Sequence, residues 1–276
     1  MITKHQQRSI KRLENIGKQK EKFPEMLRRI VESSDIILEI LDARFIEETR
    51  NKEVEKFIKK NGKKIIYVLN KSDLARKGSI SENKLKEIQP NVLVSVTERR
   101  GGKELRNKIK HISKSFQKNK GFEKVSVGVI GYPNTGKSSI INLLVGKNSA
   151  GTGSAAGFTK GIQKLKLTEK IVLIDSPGVI PSKEDSMTNQ EKMSREIMTS
   201  ARDYNRIKNP ENAVAYLFEK YKLSFEEFYK IQIENAEDLI EKVGRKNNIL
   251  KKGGVVNEDA VSRRIIRDWQ EGKIQI

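Results

Sequence analysis

The chain has 276 residues, 36% hydrophobic and 33% charged, with 56 Lys and Arg against 36 Asp and Glu and a formal charge of +20. That length can bury one good core and leave material for a second, smaller unit, and the charge points to a polyanionic partner, because neutralising phosphates releases condensed counterions without any base-reading motif. The lack of cysteine excludes disulfides and thiolate metal centres, and only His5 and His111 are present to build a transition-metal site. No apolar run approaches the ~20 residues of a membrane span or forms a signal-peptide core, so the expectation is a cytoplasmic protein without membrane contact.

In chain order, residues 1–30 read as a basic helical leader, nine Lys or Arg against Glu14, Glu21 and Glu25, with Pro24 opening a helix through Arg29. From Asp35 short apolar runs alternate with amphipathic segments, the rhythm of βαβ units around a mostly parallel sheet. Ile36–Leu41 is the first expected strand. A helix over 50–61 follows, with Val54, Phe57 and Ile58 inward and Gly62 as its stop. Strands are expected at Ile65–Leu69 and Asn91–Val96. Each strand ends at a polar cluster: Asp42-Ala43-Arg44, Asn70 to Asp73, and Ser95-Val96-Thr97. In open α/β sheets such clusters share the rim where ligands bind.

A basic helix over 102–118 leads to a strand at Val125–Ile130, a Gly-rich loop, and a helix from Lys137 to Val145. Residues 147–161 are rich in Gly, Ser, Ala and Thr and read as a loop. Ile162–Leu167 and Ile171–Asp175 read as a hairpin turning at 168–170. Beyond Lys183 only helical patterns remain: Ser224 with Glu227 reads as a capping box, Asn235 opens a helix closed by Gly244, and Asn257 caps a last helix carrying Ile265, Ile266 and Trp269. The expected domains are the leader 1–30, an α/β domain 31–185 and an all-helical domain 186–276.

Three motifs carry chemistry. The spacing Gly131-x4-Gly136-Lys137-Ser138, after a strand and at a helix start, is the context of a phosphate-binding loop. Backbone N–H groups point inward there, Lys137 reaches the β and γ phosphates, and Ser138 holds Mg²⁺. Thr135 and Ser139 flank this set as nucleotide contacts. Asp175 ends a strand 38 residues after Lys137, where a Mg²⁺-linked carboxylate belongs, acting through water, and Gly178 can offer its N–H to the γ-phosphate. In Asn70-Lys71-Ser72-Asp73 the Asp73 carboxylate can accept from both N1–H and the exocyclic amine of guanine, whereas adenine would leave it unpaired. Lys71 can lie along the purine face, and Asn70 can tie this loop to the phosphate loop. Val179 stands where many signalling switches place a water-orienting Gln, so slow intrinsic hydrolysis is expected.

The order is unusual: the base-reading motif precedes the phosphate loop by more than sixty residues. With Asp42-Ala43-Arg44, Gly157-Phe158-Thr159, and the run from Gly253-Gly254-Val255-Val256-Asn257 to Asp268-Trp269-x-x-Gly272-Lys273, the chain resembles the circularly permuted GTPases of ribosome assembly, most closely the branch that matures the large subunit. The resemblance implies a permuted P-loop GTPase domain followed by a helical, RNA-binding domain, with GTP or GDP and rRNA or a pre-ribosomal particle as partners, and a monomer off the ribosome.

It also implies that Thr159, or alternatively Thr152, binds Mg²⁺ and senses the γ-phosphate, which makes it catalytic together with Lys137 and Gly178. Ser95 and Val96 would contact guanine O6, and Asn134 would help bind K⁺ where an arginine finger otherwise supplies charge. Thr97 stands where a Lys is commoner in the family, and Ala156 where a Pro is frequent. The histidine-bearing leader of one branch is missing, so His5 is read as a solvated residue. Asp42 and Arg44 read as a loop-shaping ion pair, and the basic stretch 99–120 with the Arg263-Arg264-Arg267 helix as an RNA surface. The competing readings are a nucleotide-stabilised RNA scaffold with incidental hydrolysis, a small-subunit assembly GTPase, and a signalling GTPase, the last disfavoured by the charge.

Overall fold

The computed structural model describes residues 25–76, 78–120, 124–146, 163–175, 195–200 and 203–276. A six-stranded sheet forms the frame, in the order β3-β2-β1-β4-β6-β5. Its strands are β1 (Ile36–Asp42), β2 (Lys64–Asn70), β3 (Asn91–Leu93), β4 (Val125–Gly131), β5 (Gln163–Thr168) and β6 (Ile171–Asp175). All neighbours pair in parallel except β5, which closes one edge antiparallel to β6.

The central strands are apolar runs because both faces are covered. Ile36, Leu38 and Ile40 of β1 turn to one face, where α5 (Gly102–Lys120) and α6 (Lys137–Val145) supply Leu105, Ile109, Ile140 and Ile141. Ile37 and Leu41 turn to the other face, against α1 (Glu25–Ser33) and α3 (Lys52–Lys60). Two short helices, α2 (Ile46–Thr49) and α4 (Glu82–Glu87), lie between. In α1, Leu27, Ile30 and Val31 are fully buried, so the expected leader boundary at residue 30 falls inside a helix that belongs to the sheet.

After a 3-10 turn at Tyr204–Arg206, the C-terminal part consists of α7 (Pro210–Tyr229), α8 (Ala236–Lys246) and α9 (Glu258–Gln270). Its core centres on Trp269, stacked on Phe225 at 5.9 Å and donating from Nε1 to the Met198 carbonyl at 3.1 Å. Phe45, from the loop after β1, enters this core, 5.9 Å from the Trp269 ring, and joins the two halves.

Two expected helix boundaries are corrected. Ser224 caps nothing: it lies buried inside α7, whose break is a kink at Tyr221 (φ −131°, ψ 31°). Gly244 does not end α8, which runs on to Lys246. A Cβ at 244 would stand 2.4 Å from Val256 Cγ1, so the glycine is there for close packing. The caps at Asn235 and Asn257 hold, each side chain accepting the N–H three residues on. Among the described residues no helix is long and apolar enough to cross a membrane.

Candidate nucleotide-binding site

The parallel register sets the site. Asp42 of β1 pairs with Asn70 of β2, Ile40 pairs with Gly131 of β4, and Gly128 pairs with Ile174 of β6. The strand ends at Asp42, Asn70, Gly131 and Asp175 therefore share one rim, although the stretch of chain that holds them is more than a hundred residues long.

The loop from Gly131 to Gly136 turns through Asn134 (φ 59°) and Gly136 (φ 91°) before α6 begins at Lys137. Positive φ permits glycine at 136, and proximity demands it: a Cβ there would lie 2.2 Å from Asn70 Nδ2. That Asn70 amide donates to the Thr135 carbonyl at 2.8 Å, a buried bond that ties the two loops together across 65 residues. Thr135 Oγ1 and Lys137 Nζ both donate to the Tyr132 carbonyl, at 2.9 and 3.0 Å. Burial pulls the Lys137 ammonium down to about 8, and the Asp175 carboxylate works against that shift. A polyanion beside Nζ would raise that value again and replace the carbonyl it now holds.

At the other end, Asp42 organises the base loop. It is fully buried, yet Arg44 forks onto both its oxygens (3.0 and 2.8 Å) and Lys71 Nζ lies 2.8 Å away. Burial favours the neutral acid, but the Lys71 and Arg44 cations outweigh it and hold the carboxyl far below its usual range. The expected Asp42–Arg44 pair is thus also the anchor of Lys71, whose backbone is held at φ 58°. Ser95 is buried, its hydroxyl accepting the Glu98 N–H at 3.0 Å, which holds the loop that presents Val96 and Thr97.

Between the two loops lies a cleft of about 600 Å³. Asn70, Lys71, Asp73, Val96 and Thr97 line one end, and Asn134, Gly136 and Ser139 the other. Asp73 Oδ1 is buried there without a hydrogen-bond partner among the described residues. A buried acceptor left so is costly unless a ligand donates to it, which is what the guanine N1–H and amine edge offers.

Thr152, Thr159, Gly178 and Val179 lie outside the described residues, as do Ala156 and His5. On α9, Arg263 bonds to Asp259 and to the Tyr204 carbonyl, and Arg267 pairs with Glu271 and lines the cleft. Asp203, Tyr204, Gln270 and Glu271 also line the cleft. Nothing in their spacing signals this, because only the docking of the helical part brings them to the rim.

A solved GDP-bound YlqF of T. maritima aligns with 90% of this chain and 95% of its own at a TM-score of 0.63 and 22% identity. The fold is that of a circularly permuted GTPase. Residues 126–250 match the family described as 50S ribosome-binding GTPase. An uncharacterized GTP-binding protein of Methanocaldococcus jannaschii is 41% identical over 258 residues, covering 90% of this chain and 65% of that protein. Nucleolar GTP-binding protein 2 of Yarrowia lipolytica is 34% identical over 90% of this chain and 49% of its own length, and GTPase grn1 of Schizosaccharomyces pombe 29% identical over 92% and 61%. The chain therefore spans about half to two thirds of the curated relatives it matches.

Proposed function

We propose that the chain binds guanine nucleotides and hydrolyses GTP as a switch in assembly of the large ribosomal subunit. The observation that carries the guanine reading is the unpartnered Asp73 Oδ1 in a cleft whose base loop is tied to the phosphate loop through Asn70. The family matched by residues 126–250 and the nucleolar relatives support the ribosomal setting.

Ser138 lies in the first turn of α6, and Asp175 ends the neighbouring strand on the same rim, a donor pair suited to Mg²⁺, one directly and one through water. When bound, that ion would neutralise phosphate charge. Lys137 gives up the Tyr132 carbonyl for the phosphates. Thr159 and Gly178 would report the γ-phosphate, and Asn134 would be the residue to hold K⁺, whose charge, when bound, would stand in where Val179 replaces a water-orienting Gln, so hydrolysis should be slow without K⁺ or a ribosomal particle. The exposed Lys103, Lys110 and Lys114 of α5 fit an rRNA backbone.

Equilibrium binding tests the base reading. GTP should displace labelled GDP from the wild type while ATP does not, and Asp73→Asn should lower GTP affinity about 100-fold with the melting temperature unchanged. Equal competition by ATP in the wild type overturns the assignment. Co-sedimentation of the GTP-loaded protein with ribosomal particles tests the partner, and its absence at physiological salt overturns that part.

A further inference from the structure

In the loop Gly131-Tyr132-Pro133-Asn134-Thr135-Gly136 the bulkiest side chain is Tyr132, and it is gripped from outside the loop. Tyr132 is buried, and its carbonyl accepts both Thr135 Oγ1 and Lys137 Nζ, so its placement decides where these two groups sit. The backbone around it turns at Gly131, Asn134 and Gly136, all at positive φ, and the two glycines leave it many ways to move. Over the Tyr132 ring lies the guanidinium of Arg195, 5.4 Å from the ring centroid.

Arg195 is itself fixed. Its Nε donates to the Glu48 carbonyl at 2.8 Å and its Nη2 donates to the same oxygen, near the end of the short helix α2. Its own carbonyl accepts the Thr199 hydroxyl at 2.8 Å and the Thr199 N–H at 2.9 Å. Between them, Ile197 and Met198 are buried in the helical core, where the Met198 carbonyl accepts from Trp269 Nε1 at 3.1 Å. The stretch then grips the phosphate loop a second time, because the Ser200 carbonyl accepts from Asn134 Nδ2. Residues 195–200 thus hold the loop at Tyr132 and at Asn134, and between those two points they belong to the helical core.

We propose that Arg195 is a positioning residue for nucleotide binding: through the Tyr132 ring it fixes the phosphate loop, and with it the starting place of Lys137, so that phosphate affinity depends on docking of the helical part. This rests on the nucleotide reading above and adds a residue that lies in neither the phosphate nor the base motif. The physical reason is preorganisation, since a loop already held spends less of its binding energy on becoming ordered. The coupling runs both ways: whatever docking contributes to nucleotide affinity, the nucleotide contributes to docking. Trp269, the sole tryptophan of the chain, is one hydrogen bond away from the stretch and reports on it.

Calorimetric titration with GDP and GTP tests the proposal on wild type, Arg195→Met, Arg195→Lys, Tyr132→Leu and the double variant of Arg195→Met with Tyr132→Leu, each below its own melting temperature. Arg195→Met keeps the apolar stem but loses the fork onto Glu48 and the cation over the ring, and should bind GDP and GTP about tenfold more weakly. Arg195→Lys keeps a cation without the fork and should recover part of that loss, which also covers the case in which the Met variant does not fold. Tyr132→Leu should cost a similar factor, and the double variant no more than either alone, because both break one link. Trp269 emission should change when GDP is added to wild type and change less in Arg195→Met at saturating GDP. Wild-type GDP affinity in Arg195→Met overturns the proposal, as do losses that multiply in the double variant or a Trp269 response that Arg195→Met leaves intact. A wild type that binds ADP as tightly as GDP would instead overturn the guanine reading, on which the Arg195 comparison does not depend.

Discussion

Two buried ionic clusters sit on β1, three residues apart, and are balanced in opposite senses. At the rim, one carboxylate, Asp42, is shared by two cations, Arg44 and Lys71. On the inner side Arg50 serves several acids, with Lys52 and Lys84 also paired to Glu47: Glu55 forks onto it at 2.5 and 3.0 Å, Glu87 meets it at 2.6 Å, and Glu47 approaches to 3.7 Å. Tyr67 OH adds a hydrogen bond to Glu55 at 2.8 Å, and Glu39 lies beside this group, accepting the Asn51 N–H at 3.1 Å while its Oε2 has no hydrogen-bond partner among the described residues. Surplus positive charge keeps Asp42 ionised. Burial, helped by the Glu55 carboxylate, pushes Glu39 up to about 8. The first cluster shapes a loop that meets a ligand; the second, walled off by α3 and α4, holds the sheet to its helices.

The largest expected effect comes from removing the shared acid at the rim. Asp42→Ala leaves two cations close together with no counter-charge, and breaking a buried pair in this way costs about 4 kcal/mol. Its folded pKa lies below the unfolded 3.8, so its contribution is fully present above about pH 4 and fades as the pH falls further. Urea unfolding of wild type and variant should therefore differ by a constant amount from pH 5 to 8 and converge in acid. Guanine-nucleotide affinity should fall as well, since Lys71 loses its anchor. A variant of wild-type stability at pH 7 would show that the cluster is solvated and the loop is held by other contacts.

Much of the rim was legible in the sequence for a physical reason. β1, β2, β4 and α6 appear within a residue or so of their expected bounds because strands buried on both faces read as unbroken apolar runs, and a Gly-Lys-Ser after such a run is a local signal. The Asn70 tie was expected as well. What stayed hidden depends on distant partners. Glu39 sits inside the run Ile36–Leu41, and nothing local says whether it faces an arginine or another acid. Gly244 has the look of a helix stop until Val256 is known to pack on it. Arg267 reads as one of three basic residues on a helix, and only the docking of α9, through Phe45 and Trp269, turns it toward the cleft.

Removing the buried arginine of the inner cluster comes next. Arg50→Met keeps much of the apolar stem but gives up the fork onto Glu55 and the guanidinium lying 5.7 Å over the Tyr67 ring. About 3 kcal/mol of stability should be lost at pH 7. The deficit shrinks on acidification as it does at Asp42, but in a higher pH window: protons taken up by the crowded acids relieve the variant, so its deficit should shrink between pH 7 and pH 5. Unfolding curves at those two values decide the matter, and a deficit that grows on acidification would contradict the charge balance assigned to this cluster.

The smallest effect is a gain. The groups facing Glu39 are Glu55 and Tyr67, which disfavour or do not relieve its charge, and Arg50 and Lys59, which favour it without prevailing against burial. With a folded value of about 8 against 4.5 unfolded, the native state binds the extra proton between these limits. The stability tied to that proton is full below pH 4.5 and is lost as the pH rises through 8. Glu39→Gln keeps the shape and the acceptor for Asn51 but has no proton to lose. It should match wild type near pH 4.5 and exceed it progressively toward pH 8.5, by about 1–2 kcal/mol. The same substitution at Asp42, where the charge is wanted, should do the reverse, so the pair Glu39→Gln and Asp42→Asn, melted side by side at pH 8.5, separates a carboxyl that the fold tolerates from one that it uses.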